Sequence, residues 1–156
     1  MSLDLTVVVA LLMGLMPGFE PRYTLPVLAV RLGILPALLL ASLEVLLLSV
    51  MLPIVAQQAW RLLLAYSERL RVLGKLVTRI EVARQRAHRL TSRYGLLGLA
   101  LFVAVPLPVT GIYTGAVVSL LLGIDARKAA IALAMGGLAS LAIVSLLTLG
   151  VQLAQG

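Results

Sequence analysis

Two apolar stretches, each interrupted by a short proline-containing break, constrain this chain more than any other feature. The breaks are Pro17-Gly-Phe-Glu-Pro-Arg22 and Pro106-Leu-Pro-Val-Thr-Gly111. The apolar pieces beside them hold roughly 12 to 14 residues, or about 18 to 21 Å of helix, whereas the hydrocarbon core of a bilayer is about 30 Å thick. Each piece is therefore predicted to be a half-helix.

Composition indicates an integral membrane protein, because 62% of the 156 residues are hydrophobic and only 12% are charged. Two longer apolar runs, one from Pro36 to Ala59 and one from the Asp125–Lys128 loop to Leu153, are predicted to span the membrane. We expect a single membrane domain over 1–156. It divides into repeat one (1–60), an amphipathic helix (61–93) and repeat two (94–156).

Charge predicts the sidedness of these segments. Most of the net charge of +7 lies within 61–93, and Arg127-Lys128 adds a second basic position. Lys and Arg mark cytoplasmic loops, so both segments should lie inside, with an even number of crossings between them. Because the intervening stretch is too short to cross twice, we expect a re-entrant hairpin whose tip lies within the membrane. The predicted location is the plasma membrane, with a multi-pass topology and a cytoplasmic basic helix.

An internal repeat supports a mirrored first hairpin. A shift of 90 positions superimposes Tyr23-Thr24 on Tyr113-Thr114 and Gly33-Ile34 on Gly123-Ile124. The predicted fold is an all-α integral membrane protein with an inverted-topology repeat. Each half contains a re-entrant helical hairpin and a transmembrane helix, and a cytoplasmic amphipathic basic helix joins the halves.

Glu20 and Arg22 fall at the tip of the first hairpin, where an ionisable group costs about 2.5 to 3.5 kcal/mol on insertion scales. One interpretation is a structural ion pair that satisfies the free backbone groups of the break. The other is a ligand and proton site, since the planar guanidinium of Arg22 matches a phosphate and a neighbouring carboxylate can take up a proton.

The predicted starts of the half-helices support the interpretation as a ligand and proton site. Thr110 is predicted to be the N-cap of the helix after the second break, and Pro21 suits the first turn after the first break. Two helix N-termini that converge in mid-membrane would present free N–H groups and positive dipole ends to a phosphate or carboxylate.

Glu44 lies about 12 Å into the first predicted span, near the bilayer midplane. Ionisable residues at this depth are usually functional. Two roles remain open from the sequence: Glu44 relays protons to the hairpin site, or it neutralises Arg22 or Arg31.

Small residues recur at four-residue spacing in the last span, at Ala132, Gly136 and Ser140, with Gly137 beside them. This spacing predicts close helix packing. The basic helix can bind anionic lipid, serve as a connector or form a dimer contact. With no cysteine, one His and no acidic cluster at metal spacing, the sequence indicates no enzyme, no metal site, no cofactor and no nucleic-acid partner.

Two motifs resemble those of a known family. The segment Glu20-Pro-Arg-Tyr-Thr-Leu-Pro26 resembles its Glu-x-Arg-x-x-x-Pro element, and Pro106-Leu-Pro-Val-Thr-Gly-Ile-Tyr-Thr-Gly115 resembles its Pro-x-Pro-x-Thr-Gly-aromatic-Thr-Gly element. The family is that of the small multidrug export proteins, a branch of the DedA or VTT superfamily. The chain departs from the family pattern at Val109, where Gly is common, and at Tyr113, where Trp is common.

The resemblance implies two re-entrant hairpins and, by analogy with DedA proteins, proton-coupled translocation of a polyprenyl-phosphate or phospholipid headgroup. Efflux of small amphipathic cations and a non-transporting membrane scaffold are the alternatives. Expected partners are membrane lipids, an anionic lipid or lipid-phosphate substrate, and a second copy in a homodimer. The predicted site residues are Arg22, Thr110, Gly111 and Thr114 for substrate, Glu20 and Glu44 for proton coupling, and Pro17, Pro21, Pro26, Pro106 and Pro108 for the breaks.

Overall fold

The computed structural model describes residues 4–67, 74, 77–82, 95–107 and 110–155. Within these ranges all regular secondary structure is helical, as predicted. The principal helices are α1 (Leu5–Gly14), α2 (Glu20–Leu32), α3 (Ile34–Ser67), α4 (Gly95–Ala104), α5 (Ile112–Leu121) and α6 (Ala126–Gln155). Residues 77–82, inside the basic segment, are also helical.

The first break separates α1 from α2 at the predicted place. Pro17 lies between the two helices and Pro21 lies in the first turn of α2, where its fixed φ suits a helix start. Glu20 and Arg22 consequently belong to this first turn and not to the loop. Pro26 lies inside α2, which continues through it. The helix ends at Gly33, whose φ of 85° is in the region that favours glycine.

The second break separates α4 from α5. Pro106 lies in it, whereas Pro108 and Val109 fall outside the described residues. The N-cap of α5 is Gly111, with extended backbone, so the assignment of this cap to Thr110 was wrong. The Thr110 hydroxyl instead donates to the carbonyl of Val105 at 2.5 Å and accepts from the backbone N–H of Leu107 at 3.2 Å. Thr110 therefore closes the loop and leaves the helix start to Gly111.

Two helices, α3 and α6, are long and apolar enough to span a membrane. Both exceed their predicted bounds. The first continues to Ser67 because the basic segment begins with residues that favour a helix as well as the apolar run does. The second begins at Ala126 and includes Arg127 and Lys128, which the sequence predicts to lie in a loop. Their length and composition are those of a membrane protein.

Close packing of α6 against its neighbours follows from its small residues, as predicted. A Cβ placed on Gly136 would overlap the carbonyl oxygen of Ala100 in α4, and one on Gly137 would lie 2.7 Å from Val45 Cγ1 in α3. The α6 backbone thus sits directly on both helices. The core that results includes Leu25, Val45, Leu99, Val103, Ile112, Leu133 and Leu141.

Two polar contacts locate the outer ends of the short helices. Arg31, at the end of α2, pairs with Asp4, at the start of α1, with 3.4 Å between Nη1 and Oδ2. The side-chain amide of Gln57 donates to the carbonyl of Ile124, just after α5, at 3.4 Å. The outer ends of α1 and α2 therefore lie together, and the outer end of α5 lies next to residue 57 of α3.

Candidate functional site

Arg22 reaches from α2 into the second break. Its Nη2 donates to the carbonyl of Leu107 at 2.7 Å, and its Nη1 donates to the carbonyl of Val105 at 3.2 Å and to the hydroxyl of Ser140 in α6 at 3.4 Å. The residue is only 4% exposed. These carbonyls follow the end of α4 and carry partial negative charge, so a buried cation here is electrostatically favourable.

Glu20 lies beside Arg22 and faces the start of α5. Its carboxylate is 3.2 Å from Arg22 Nε and interacts with the backbone N–H groups of Ile112 and Tyr113. A Cβ on Gly111 would overlap this carboxylate, which explains why glycine occupies the N-cap. The positive end of α5, predicted to bind a substrate anion, is thus occupied by an anion of the protein itself.

The geometry of Glu20 and Arg22 is therefore that of a structural ion pair that also binds free backbone groups, the first of the two interpretations of the sequence. It satisfies those of the second break, more than 80 residues away in sequence. Two neighbouring threonines have local roles. Thr110 closes the loop, and Thr114 Oγ1 accepts the N–H of Gly111 at 3.3 Å, which is one half of a capping box.

Two tyrosines link the breaks reciprocally. The hydroxyl of Tyr23 donates to the carbonyl of Leu107 in the second break at 3.3 Å, and the hydroxyl of Tyr113 donates to the carbonyl of Leu15 in the first. These two tyrosines are the residues that the 90-position repeat superimposes. The Tyr23 ring also lies 4.9 Å from the Arg22 guanidinium carbon, a cation–π contact.

Glu44 lies at the first break and differs sharply from Glu20. It is 8% exposed, and among the described residues its Oε2 has no hydrogen-bond donor and its carboxylate no ion-pair partner. A Cβ on Gly14 would lie 2.5 Å from Glu44 Oε2 and 3.2 Å from Thr24 Oγ1. The carboxylate therefore rests on the last residue of α1.

The suggestion that Glu44 neutralises Arg22 or Arg31 was wrong. Arg22 pairs with Glu20, and Arg31 pairs with the exposed Asp4. A buried carboxylate without a counter-charge is costly in an apolar environment unless a proton, a cation or a ligand joins it. Glu44 is accordingly the buried carboxylate without a counter-charge, whereas Glu20 and Arg22 neutralise each other at 3.2 Å, although Arg22 Nε has no hydrogen-bond partner among the described residues.

A small pocket adjoins the ion pair. Its walls come from α2, α3, α4, α5 and α6, and its lining is Glu20, Pro21, Arg22, Val45, Val103, Ile112, Gly137 and Ser140. Within the described part of the chain, no three His, Cys, Asp or Glu side chains are grouped so that they could hold a metal ion. The site thus combines one buried ion pair, one isolated carboxylate and two tyrosines.

Sequence reasoning missed Gly14, Thr24 and Ser140 as parts of this site, and assigned no role to Tyr23 or Tyr113. The repeat that aligned the two tyrosines was an available signal, because both of them reach the opposite break. Nothing in the spacing of Gly14 or Ser140 marks them as neighbours of a charge. Their positions depend on how the helices pack.

A comparison with known protein families shows to which family this chain belongs. The model of the family described as "Putative small multi-drug export protein" matches residues 20–143. The chain belongs to this family. The match begins at Glu20, inside the first break, and covers all of α3, the second break and α6 as far as residue 143; the family description and the apolar helices together indicate a membrane protein. No curated protein and no solved structure matches the chain.

Proposed function

We propose that this member of the small multi-drug export family exports small amphipathic cations, and that the carboxylate of Glu44 binds their positive charge. The supporting observation is the isolation of Glu44, a buried carboxylate with an unpartnered oxygen. The family description names multi-drug export, in agreement with a site that selects by charge and apolar contact. The protein carries out transport and no covalent chemistry.

The balance of buried charges supports a cationic substrate. The buried charged residues of the described chain are Glu20, Arg22 and Glu44. The first two compensate each other at 3.2 Å, so Glu44 is the buried carboxylate left without a counter-charge. An amphipathic cation supplies the missing charge, and it can also fill apolar space beside the helices. During turnover a smaller cation takes its place on Glu44.

We further propose that the two breaks form re-entrant hairpins that open to opposite membrane faces. The outer ends of α1 and α2 lie near the start of α3, and the outer end of α5 lies near Gln57. From Ile34 to Gln57, α3 rises about 35 Å at 1.5 Å per residue, close to a bilayer thickness. The reciprocal tyrosine contacts join the two tips between these ends.

This arrangement is that of an inverted-topology repeat. In support of the repeat, glycines with positive φ stand at 33 and 123, 90 positions apart. The same arrangement favours a place within the DedA or VTT superfamily. We place the protein in the plasma membrane with the basic segment in the cytoplasm, because Lys and Arg mark the cytoplasmic side.

Cysteine labelling tests the topology, since the chain contains no cysteine of its own. Single cysteines at Gly33, Ser67 and Ala126 are treated with a membrane-impermeant maleimide in intact cells and in inverted vesicles. We expect Ser67 and Ala126 to react from the cytoplasmic face and Gly33 from the other. Reaction of Ala126 from the face opposite to Ser67 would contradict the hairpins.

Efflux from proteoliposomes tests the proposed substrate class. Vesicles that contain the purified protein are loaded with tetraphenylphosphonium, and its release is followed with a selective electrode. Wild-type protein and Asp125→Asn, which removes an exposed carboxylate, should release it at equal rates. Glu44→Gln should reduce release to the protein-free rate. Equal release by Glu44→Gln and wild type would eliminate Glu44 as the binding group.

A second candidate function is translocation of a polyprenyl-phosphate or phospholipid headgroup. It is favoured by the position of the Glu20 carboxylate, which lies at the N-terminus of α5 beside Arg22, where a phosphate would also be stabilised. In this mechanism a proton on Glu20 releases Arg22 to the headgroup. If Arg22→Lys and Glu20→Gln flip a fluorescent lipid phosphate as fast as the folded wild type, this candidate fails.

A further inference from the structure

The two breaks treat the carbonyl end of their first helix differently. After α4, the carbonyls of Val105 and Leu107 are bound by the guanidinium of Arg22 at 3.2 and 2.7 Å. After α1, the Glu44 carboxylate rests against Gly14, so an acidic group lies at the partial negative end of a helix. Among the described residues no cation lies between them.

We propose that the end of α1, Glu44 and Thr24 bind a monovalent metal cation of the size of sodium. We also propose that this ion is the small cation exchanged on Glu44, and this second statement rests on the export function proposed above. The ion would take the position at the first break that the positive charge of Arg22 takes at the second.

The available ligands are all oxygen atoms. Glu44 Oε2 and Thr24 Oγ1 flank Gly14, at 2.5 and 3.2 Å from the position of a Cβ there. The Thr24 hydroxyl donates to the carbonyl of Pro21 at 3.1 Å and keeps its lone pairs for an ion. Oxygen ligands suit hard cations, and carbonyls at the ends of broken helices coordinate such ions in transporters. The Glu44 oxygen lacks a partner and the residue is more than nine-tenths buried, so it points to a ligand at this place.

The charge of the site selects a monovalent ion. One carboxylate is present, and in the described part of the chain no second or third acidic side chain joins it in a group that could hold a metal. A divalent ion bound by carboxylates would need more negative ligands to offset its dehydration. A proton is the competing occupant of this site, because a protonated carboxyl donates its O–H to a nearby carbonyl. The binding assay below separates the two, since only a sodium site retains labelled sodium that choline does not displace.

Binding of radioactive sodium to the purified protein in detergent tests the site. Wild type and Asp125→Asn should bind sodium, and excess unlabelled sodium should displace it while choline at equal ionic strength should not. Glu44→Gln should weaken binding at least about tenfold, which corresponds to about 1.4 kcal/mol. Thr24→Val should weaken it by a smaller factor, which gives a second variant if Glu44→Gln does not fold.

Absence of sodium binding above the choline background, or binding unchanged in folded Glu44→Gln and Thr24→Val, would overturn the site. The efflux assay separates this result from a failure of the export function. If efflux runs in sodium-free buffer on a proton gradient and still needs Glu44, the sodium assignment falls and export stands. If efflux does not need Glu44 but sodium binding does, export through Glu44 falls and the ion site stands.

Discussion

The two breaks differ in how the ends of their helices meet charged side chains. At the second break, Arg22 is placed on the carbonyls that follow α4 and Glu20 on the N–H groups that begin α5, so each helix end meets its complementary charge. At the first break, Glu44 lies on the carbonyl end of α1 without a partner among the described residues. The second break is thus held by side chains of the protein itself, and we propose that Glu44 at the first break is kept for a ligand.

Removal of Arg22 should have the largest effect on stability. Arg22→Ala leaves Glu20 buried without its counter-charge, and loss of one partner of a buried pair costs about 3 to 5 kcal/mol. Unfolding by sodium dodecyl sulfate in mixed micelles measures this difference. Arg31→Ala is the matched control, because its pair with Asp4 is about half exposed and should contribute less than about 1 kcal/mol. Equal losses in the two variants would contradict the role of Arg22.

The second largest loss of stability should come from a change that crowds the Glu20 carboxylate at the second break. A methyl group on Gly111 overlaps Glu20, so Gly111→Ala should cost about 1 to 3 kcal/mol as Glu20 is displaced from α5 and Arg22. Gly98→Ala in α4 is the control, since nothing lies within 4 Å of a Cβ there. By helix propensity that change should stabilise by up to about 1 kcal/mol. The same unfolding assay would refute the prediction if both changes were neutral.

The reciprocal tyrosine contacts should contribute equally to joining the breaks. Tyr23→Phe and Tyr113→Phe each remove one hydrogen bond to a backbone carbonyl, which is worth about 0.5 to 1.5 kcal/mol. Unfolding of the single and double variants gives the free energy that each hydrogen bond contributes and the interaction energy between the two. A loss in only one of the two variants would show that the contacts do not form a symmetric pair.

The smallest stability change should come from Glu44. Glu44→Gln removes a buried charge that has no partner among the described residues, so stability should fall by less than about 1 kcal/mol or rise. Glu20→Gln should destabilise by more, because Arg22 then lies buried without its ion pair. If Glu44→Gln were less stable than Glu20→Gln, the proposal that Glu20 is compensated and Glu44 is not would be contradicted.

The sequence allowed much of this fold to be predicted, because the signals were local. Proline positions located both breaks, and the small residues around Gly136 predicted close packing of α6. The importance of Glu20 and Arg22 followed from the cost of charges in apolar surroundings. The length of α3 was underestimated, because a change from apolar to basic residues alters the environment of a helix without ending it.

The partners within the site could not be predicted, because they are set by packing between distant segments. Arg22 bonds carbonyls 83 and 85 positions away, and backbone carbonyls carry no mark in the sequence. Gly111 is the N-cap because a carboxylate from α2 needs the space, whereas local preference favoured Thr110. The isolation of Glu44 likewise appears only when the neighbours of α3 are known.

Binding of an amphipathic cation tests the central claim most directly, since it requires neither a gradient nor a vesicle. Titration calorimetry of tetraphenylphosphonium into detergent-purified protein should give one site in wild type and in Asp125→Asn. In Glu44→Gln, with its folding verified by the unfolding assay, that site should be lost. Unchanged affinity in Glu44→Gln would contradict the claim that the uncompensated carboxylate at the first break is the ligand-binding charge.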